Sequence, residues 1–390
     1  MRRRSIPVIP EKGKIMKLKF GKDGKFRILH MTDAQESVRV SPNTVKLIEA
    51  SVKKVKPDLV IFTGDQIKNY GLGFSSKNAP KYARGLIDSL FAPIDRLGVP
   101  FAITFGNHDV CKYVSKQQQI EMYAKYENFV RAQDYIHYDS GTYALPIYSS
   151  DGSEIVYAVY MIDSQGNNST GGYEAPLPEQ VEWYRQTRDE LEKLSSKPVP
   201  AMVFQHIPVC EMYNIFKRVD KGTKGSIRAY RSHNKEYFLL DESKCREMGN
   251  FKEPASIPDE NTGEFAAMKE KGDVRAMFFG HDHKNCFVGT CDGIDLGFTP
   301  SCGFNSYGDG KNRGSRQIVI DEKDLSYTTK PYTYSELCGS RVKRPVKDAI
   351  LSWIPTSPSD ILPKVSKLLG VLLGIGALIA AVVILITKYL

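Results

Sequence analysis

No two of the seven cysteines stand at C-x-x-C spacing, and their number is odd. That argues against a thiolate zinc motif and a self-contained disulfide framework, and favours scattered reduced thiols in a reducing compartment. The opening stretch MRRRSIPVIPEKGKIMKLKF has no continuous apolar core, so it does not read as a secretory signal. Internal repeats and long low-complexity runs are also lacking. The body of the chain has no excess of basic residues either. Of the net charge of +9, residues 1–27 carry +8, residues 341–367 carry +4 and Lys388 carries +1, which leaves residues 28–340 at −4. A nucleic-acid groove needs basic residues concentrated on the folded body, so nucleic acid is not expected as a partner.

One long apolar run is present. Residues 368–387, LLGVLLGIGALIAAVVILIT, hold no charged side chain. As a helix rising about 1.5 Å per residue they reach roughly 30 Å, the thickness of a bilayer core. Without a recognisable leader, the run reads as a C-terminal tail anchor with the body in the cytosol. Lys364 and Lys367 before it agree with that orientation, and the short span with few flanking charges points to the endoplasmic reticulum. Residues 1–24 read as a basic flexible arm and 336–367 as a Pro-rich basic juxtamembrane linker. Within that linker VKDAILSWI is a candidate for lying on the membrane surface.

Between these ends, apolar strands alternate with helices. Strand patterns cover 26–32, 58–64, 100–107, 154–164, 199–208 and 273–283, and helical patterns cover 41–55, 81–98 (interrupted near Pro93), 179–194 and 263–272. Ser41-Pro42 is the expected cap and first turn of the first helix. The polar stretch 212–262 breaks the rhythm and reads as an insertion or loop. This order is that of an α/β protein whose sheets are covered by helices. In such folds, sites gather beyond the carboxyl ends of strands.

Five strands end on metal-binding side chains: Asp33 and Gln35; Asp65; Asn107, His108 and Asp109; His206; and His281 with His283. A His-x-His in extended chain puts both rings on one side. Four of the seven histidines fall in these ends; His30, His137 and His233 have no such context and read as structural. The donor set is carboxylate, amide and imidazole without thiolate, which suits Mn, Fe or Zn, and it is large enough for two ions.

The ordered set Asp33-x-Gln35, Gly64-Asp65, Gly106-Asn107-His108-Asp109, His206 and Gly280-His281-Asp282-His283 resembles the calcineurin-like metallophosphoesterases over roughly residues 25–325, which implies a metallophosphoesterase domain over 25–335. FTGDQI, FAITFGNHD, YMIDSQG, FQHIP and SCGFNSYG look like the small non-purple branch of plant purple-acid-phosphatase-like and fungal cell-cycle-regulator-type phosphatases. The resemblance implies a four-layer α/β/β/α sandwich of two mixed sheets. It also implies two divalent ions and a phosphate-ester substrate, phosphoprotein or small molecule. Asp65 would bridge both ions, Asp33 and His283 would hold the first, and Asn107, His206 and His281 the second. His108 would stabilise phosphoryl charge or protonate the leaving oxygen, with Asp109 orienting it, and a phosphate beside the cationic ring would raise its pKa. A hydroxide bridging the ions would attack in line, hydrolysing a phosphomonoester; a phosphodiesterase or pyrophosphatase, or a non-enzymatic scaffold, are the alternatives. Two positions depart from the family pattern. Lys68 stands where purple enzymes carry tyrosine, so no tyrosinate–iron colour is expected. Gln35 replaces the usual histidine, a weaker ligand for Zn or Fe(II). Loops 69–80, 110–140 and 165–176 are expected to shape the substrate pocket.

Overall fold

The computed structural model describes residues 16–70, 73–130, 137–195, 197–356 and 358–389. Two mixed sheets lie face to face, with helices on their outer sides. The first has five strands: β1 (Lys25–Met31), β2 (Leu59–Thr63), β3 (Phe101–Thr104), β14 (Gly314–Asp321) and β15 (Tyr327–Thr333), in spatial order β15-β14-β1-β2-β3. The second has seven: β4 (Tyr143–Tyr148), β5 (Ile155–Ile162), β6 (Ala201–Gln205), β10 (Cys245–Asn250), β11 (Val274–Phe279), β12 (Cys286–Cys291) and β13 (Ile294–Phe298), in order β10-β12-β13-β11-β6-β5-β4. β1, β2 and β3 run parallel, as do β5, β6, β11 and β13. The parallel part of each sheet therefore delivers several carboxyl ends to one edge.

Period-two alternation builds the layers. Ile28, Ile61 and Ala102 of the first sheet meet Met161, Met202, Phe204 and Phe278 of the second in one shared core. The alternate residues Leu29, Phe62 and Ile103 face α1 (Pro42–Val55), α2 (Ala79–Arg96) and α3 (Lys116–Tyr123). Tyr160, Val203 and Met277 face α4 (Pro178–Ser195) and α5 (Glu264–Lys269). The expected four-layer sandwich is present.

Ser41 caps α1 as expected, its hydroxyl accepting the Asn43 N–H with Pro42 in the first turn. Three expectations need correction. Pro93 does not interrupt α2, because Leu90, Phe91 and Ile94 around it are buried and hold the helix through the lost hydrogen bond. The stretch 212–262 is not mainly loop: β7 (Phe216–Val219), β8 (Ile227–Arg228) and β9 (Tyr237–Leu240) form a three-stranded sheet, and β10 joins the large one. The arm is shorter than 24 residues. Leu18 and Phe20 are buried, and backbone bonds tie them to Tyr148, while residues 1–15 lie outside the described ones. After β15 come α6 (Tyr334–Cys338), α7 (Pro345–Trp353) and α8 (Pro358–Tyr389). Among the described residues one helix is long and apolar enough to cross a membrane, over Lys364–Val383, none of it buried. All seven cysteines are free thiols.

Candidate metal centre

The first sheet brings Asp33, Gln35, Asp65, Asn107 and His108 to its edge, and the second brings His206, His281 and His283. Leaving a strand and turning at once into a cradle strains the chain. Asp33, Gln35, Asp65 and His281 all have positive φ, at 53°, 36°, 53° and 72°. Such angles cost non-glycine residues free energy and concentrate at functional sites. Glycine is required where the turns touch. A Cβ on Gly64 would lie 2.3 Å from the Gly106 nitrogen, and one on Gly106 would lie 2.3 Å from Asp65 Oδ1.

Ligand atoms of Asp33, Asp65 and His206 lie within 4.8 Å of one another, all three residues buried. His206 Nε2 is 3.4 Å from Asp65 Oδ2 and 3.2 Å from Asn107 Oδ1. His281 Nδ1 is 3.2 Å from His206 Nε2, and His283 Nε2 is 3.2 Å from Asp33 Oδ1. The tautomers follow from the backbone. His206 Nδ1 donates to the Thr63 carbonyl at 2.8 Å, and His283 Nδ1 donates to the Tyr307 carbonyl at 2.7 Å. Each ring therefore turns Nε2 into the cradle, the arrangement that orients metal-ligating histidines. The Asp33 carboxylate is fixed in turn by the Thr32 hydroxyl at 2.8 Å and the His281 N–H at 2.9 Å.

This donor chemistry fits divalent ions. The buried His281 Nε2 has no hydrogen-bond partner, and Asp33 Oδ1 faces its charged neighbour without a well-formed bond. Lone pairs converge where no protein donor answers them. Carboxylates and imidazoles at this spacing also shift one another's proton affinity. Burial opposes a charge on His206, yet the Asp65 and Asp33 carboxylates outweigh it and push the ring up to about 10. Burial and the neighbouring His206 hold His281 down at about 3. Burial acts to raise Asp33 and Asp65, but the imidazoles, His283 for the first and His206 for the second, hold both below the usual carboxylate range.

Three expected roles meet a different geometry. Gln35 enters the cradle, but its amide nitrogen donates to Asp65 Oδ2 at 2.9 Å, so it positions the carboxylate instead of turning its oxygen inward. Asp109 does not touch the His108 ring. Its carboxylate accepts the backbone N–H groups of Asp65, Ile67 and Gly106 at 2.7, 3.0 and 2.8 Å, and so holds the two loops together. Burial and Asp65 raise its pKa to about 7 despite those donors. The partner of the His108 ring is Asn69, whose Oδ1 lies 2.9 Å from Nδ1. Burial holds His108 below the ordinary imidazole value, not above it, although Asp65 pulls the other way. Among the residues set aside as structural, His30 is buried between the Thr63 and Thr299 hydroxyls, at 2.8 and 2.7 Å.

Aromatic rings wall the cradle. Tyr307 stacks on His283 at 4.1 Å, Tyr173 sits edge-on to His281 at 4.3 Å, and Tyr70 lies 5.0 Å from His108. Tyr70 and Asn69 come from the first expected pocket loop and Tyr173 from the third; residues 71–72 and 131–136 of the first and second loops lie outside the described ones. Lys68 Nζ donates to the Asn305 carbonyl at 2.9 Å. Asn69, Tyr70 and Tyr173 were not singled out in the sequence, where a loop asparagine or tyrosine carries no periodic signal.

Carboxylates, an amide and imidazoles meet here from the edges of two sheets, with ring tautomers set by the backbone, and Asp33, Asp65 and His206 among them could hold a metal ion. Residues 26–285 match the model of the calcineurin-like phosphoesterase family, and the chain belongs to that family. It is similar to "Probable inactive purple acid phosphatase 29" of Arabidopsis thaliana, 28% identical over 349 residues, covering 80% of this chain and 81% of that one. It is also similar to "Phosphatase DCR2" of Saccharomyces cerevisiae, 24% identical over 288 residues, covering 67% of this chain and 45% of that one. A dimetal phosphatase structure from Danio rerio aligns over 79% of this chain and 99% of its own length, at 12% identity and a TM-score of 0.46.

Proposed function

We propose that the chain is a dinuclear-metal phosphatase that hydrolyses phosphomonoesters, held to a membrane by α8 with its body in the cytosol. The observation that carries the catalytic reading is the inward convergence of buried lone pairs on Asp33, Asp65, Asn107, His206, His281 and His283. In this reading Asp33 and His283 would hold one ion, Asn107, His206 and His281 would hold the other, and Asp65 would serve both. Two bound divalent ions supply Lewis-acid polarisation of a phosphoryl group and a water of lowered pKa.

The remaining work falls to the chain. Gln35 holds Asp65 in register through its amide N–H. His108 carries Nδ1–H toward Asn69, which leaves Nε2 facing outward for a phosphoryl oxygen or the leaving group. A phosphate dianion beside the ring favours its cationic form and raises its pKa from the lowered value of the free protein. The ring can then give its proton to the departing oxygen.

The test uses the full chain in detergent, loaded with Mn and assayed on an aryl phosphate. Turnover is expected. No turnover with both ions shown to be bound would sink the enzymatic reading, and it would align this chain with the "inactive" wording of its plant relatives. Faster hydrolysis of a bis-aryl phosphate than of the monoester would make it a diesterase. Resistance of vesicle-bound chain to alkaline extraction tests the anchor.

A further inference from the structure

Helix α7 grips the body with one face and leaves the other bare. Asp348, its one buried residue, meets the fully buried Arg313 at 2.8 Å. Lys284 Nζ donates to the Ser352 and Ile354 carbonyls at 3.4 and 3.1 Å, and Lys347 donates to the Asn305 side chain. These partners adjoin the metal cradle. Lys284 follows His283 in sequence, and Arg313 donates to the Ser306 carbonyl at 3.0 Å, next to the Tyr307 whose own carbonyl fixes His283. On the opposite face Val346, Ile350 and Trp353, at helical spacing, are 72%, 61% and 41% exposed.

What covers that stripe follows from the chain on either side. α8 begins at Pro358, five residues after α7 ends. Five Cα steps and the six helical residues before the apolar span at Lys364 reach at most about 27 Å, so the end of α7 cannot travel far from wherever α8 enters a bilayer. Exposed Arg341, Lys343 and Arg344 precede α7 and suit anionic headgroups. An apolar stripe with a tryptophan, flanked by cations and short-tethered to a membrane span, has the chemistry of an interfacial helix.

We infer that α7 lies in the plane of the bilayer surface, with Val346, Ile350 and Trp353 among the lipids, so that the Asn305–Tyr307 side of the metal cradle is held beside the membrane. The inference rests on α8 being a membrane anchor, and its occupant is lipid.

Trp183 and Trp353 are the only tryptophans in the chain, and Trp183 is buried in the body. The full chain is reconstituted into phosphatidylcholine–phosphatidylserine vesicles whose acyl chains are brominated either near the headgroup or near the terminal methyl. Shallow bromines should quench the emission more than deep ones, and the W353F variant should lose that quenching. The I350D variant should lose most of it while keeping the body folded by circular dichroism. Chain that resists alkaline extraction but shows no shallow quenching of Trp353 overturns the inference and leaves the anchor standing. Chain that is extracted refutes the anchor and this inference together. Unquenched emission that shifts to the blue as protein concentration rises means a second copy covers the stripe, which also overturns it.

Discussion

Replacing Asn69 with alanine removes the acceptor 2.9 Å from His108 Nδ1. In the free enzyme the ring is neutral, its pKa held down by burial, and such a bond is worth about 0.5–1.5 kcal/mol. In the transition state the ring is paired with a phosphoryl anion and carries more positive charge. A bond to a charged donor is worth about 1.5–3 kcal/mol, so the transition state loses about 1–1.5 kcal/mol more than the free enzyme and kcat/KM should fall roughly 5- to 13-fold. Asn69→Asp should do the opposite to the ring. A carboxylate at that distance favours imidazolium, so the pKa of His108 rises. The protonated ring then persists to higher pH, and the basic limb of the kcat profile moves up. The assay is kcat and KM for an aryl phosphate from pH 5 to 9, with metal content measured on each sample. An Asn69→Ala enzyme with full metal content and unchanged kcat/KM would refute the reasoning. One that lost metal would show that Asn69 merely supports the loop, through its second bond to the Val110 carbonyl at 2.9 Å.

Three further outcomes follow from the same geometry. His108→Ala should keep both metals and lose about 10²- to 10⁴-fold in kcat, and metal loss would contradict its place outside the ligand set. Gln35→His exchanges an amide donor for an imidazole and should tighten Zn or Fe(II) in a chelator competition; no change would mean that position 35 acts only on Asp65. Glu264 is fully buried, and burial pushes its carboxyl up to about 8 despite the Gln205 amide, with Glu211 adding to the rise. The unfolded chain deprotonates near the ordinary value of 4.5 while the folded chain keeps its proton to about 8, so its stability contribution falls as pH rises between those values. Glu264→Gln should flatten that part of the Tm-against-pH curve, and an unchanged slope would show that Glu264 ionises normally.

The strand ends were legible because each couples a periodic signal to a chemical one. FRILHM alternates between two cores, and the residues just past it are polar in a way no core needs. The order of strands and helices pointed to an α/β protein with covered sheets, and the four layers followed from the family resemblance alone. The stretch 212–262 was not legible, because β7, β8 and β9 are four, two and four residues long, too short for a period of two to stand out. β12 was missed for the opposite reason: nearly every residue of CFVGTC is buried, which erases the period. Within the site, residue types could be read but not hydrogen bonds. Asp109 is adjacent in sequence to His108 and was matched to its ring, whereas the chain reverses at that point and three backbone N–H groups claim the carboxylate first. Asn69, 39 residues from His108, could be assigned to it only in three dimensions.

His30 has a consequence beyond its own burial. The layer of side chains between the two sheets is apolar and non-directional, and grease of that kind tolerates a small slip of one sheet over the other. Directional contacts do not. His30 projects from β1 and joins Thr63, on its own sheet, to Thr299 just past β13 on the other. Nearby, His206 of the second sheet reaches the Thr63 carbonyl of the first. These bonds act as dowels between two sliding plates. A ligand set split across the plates can then stay in register to a fraction of an ångström, and the alignment tool is a histidine that never meets the substrate.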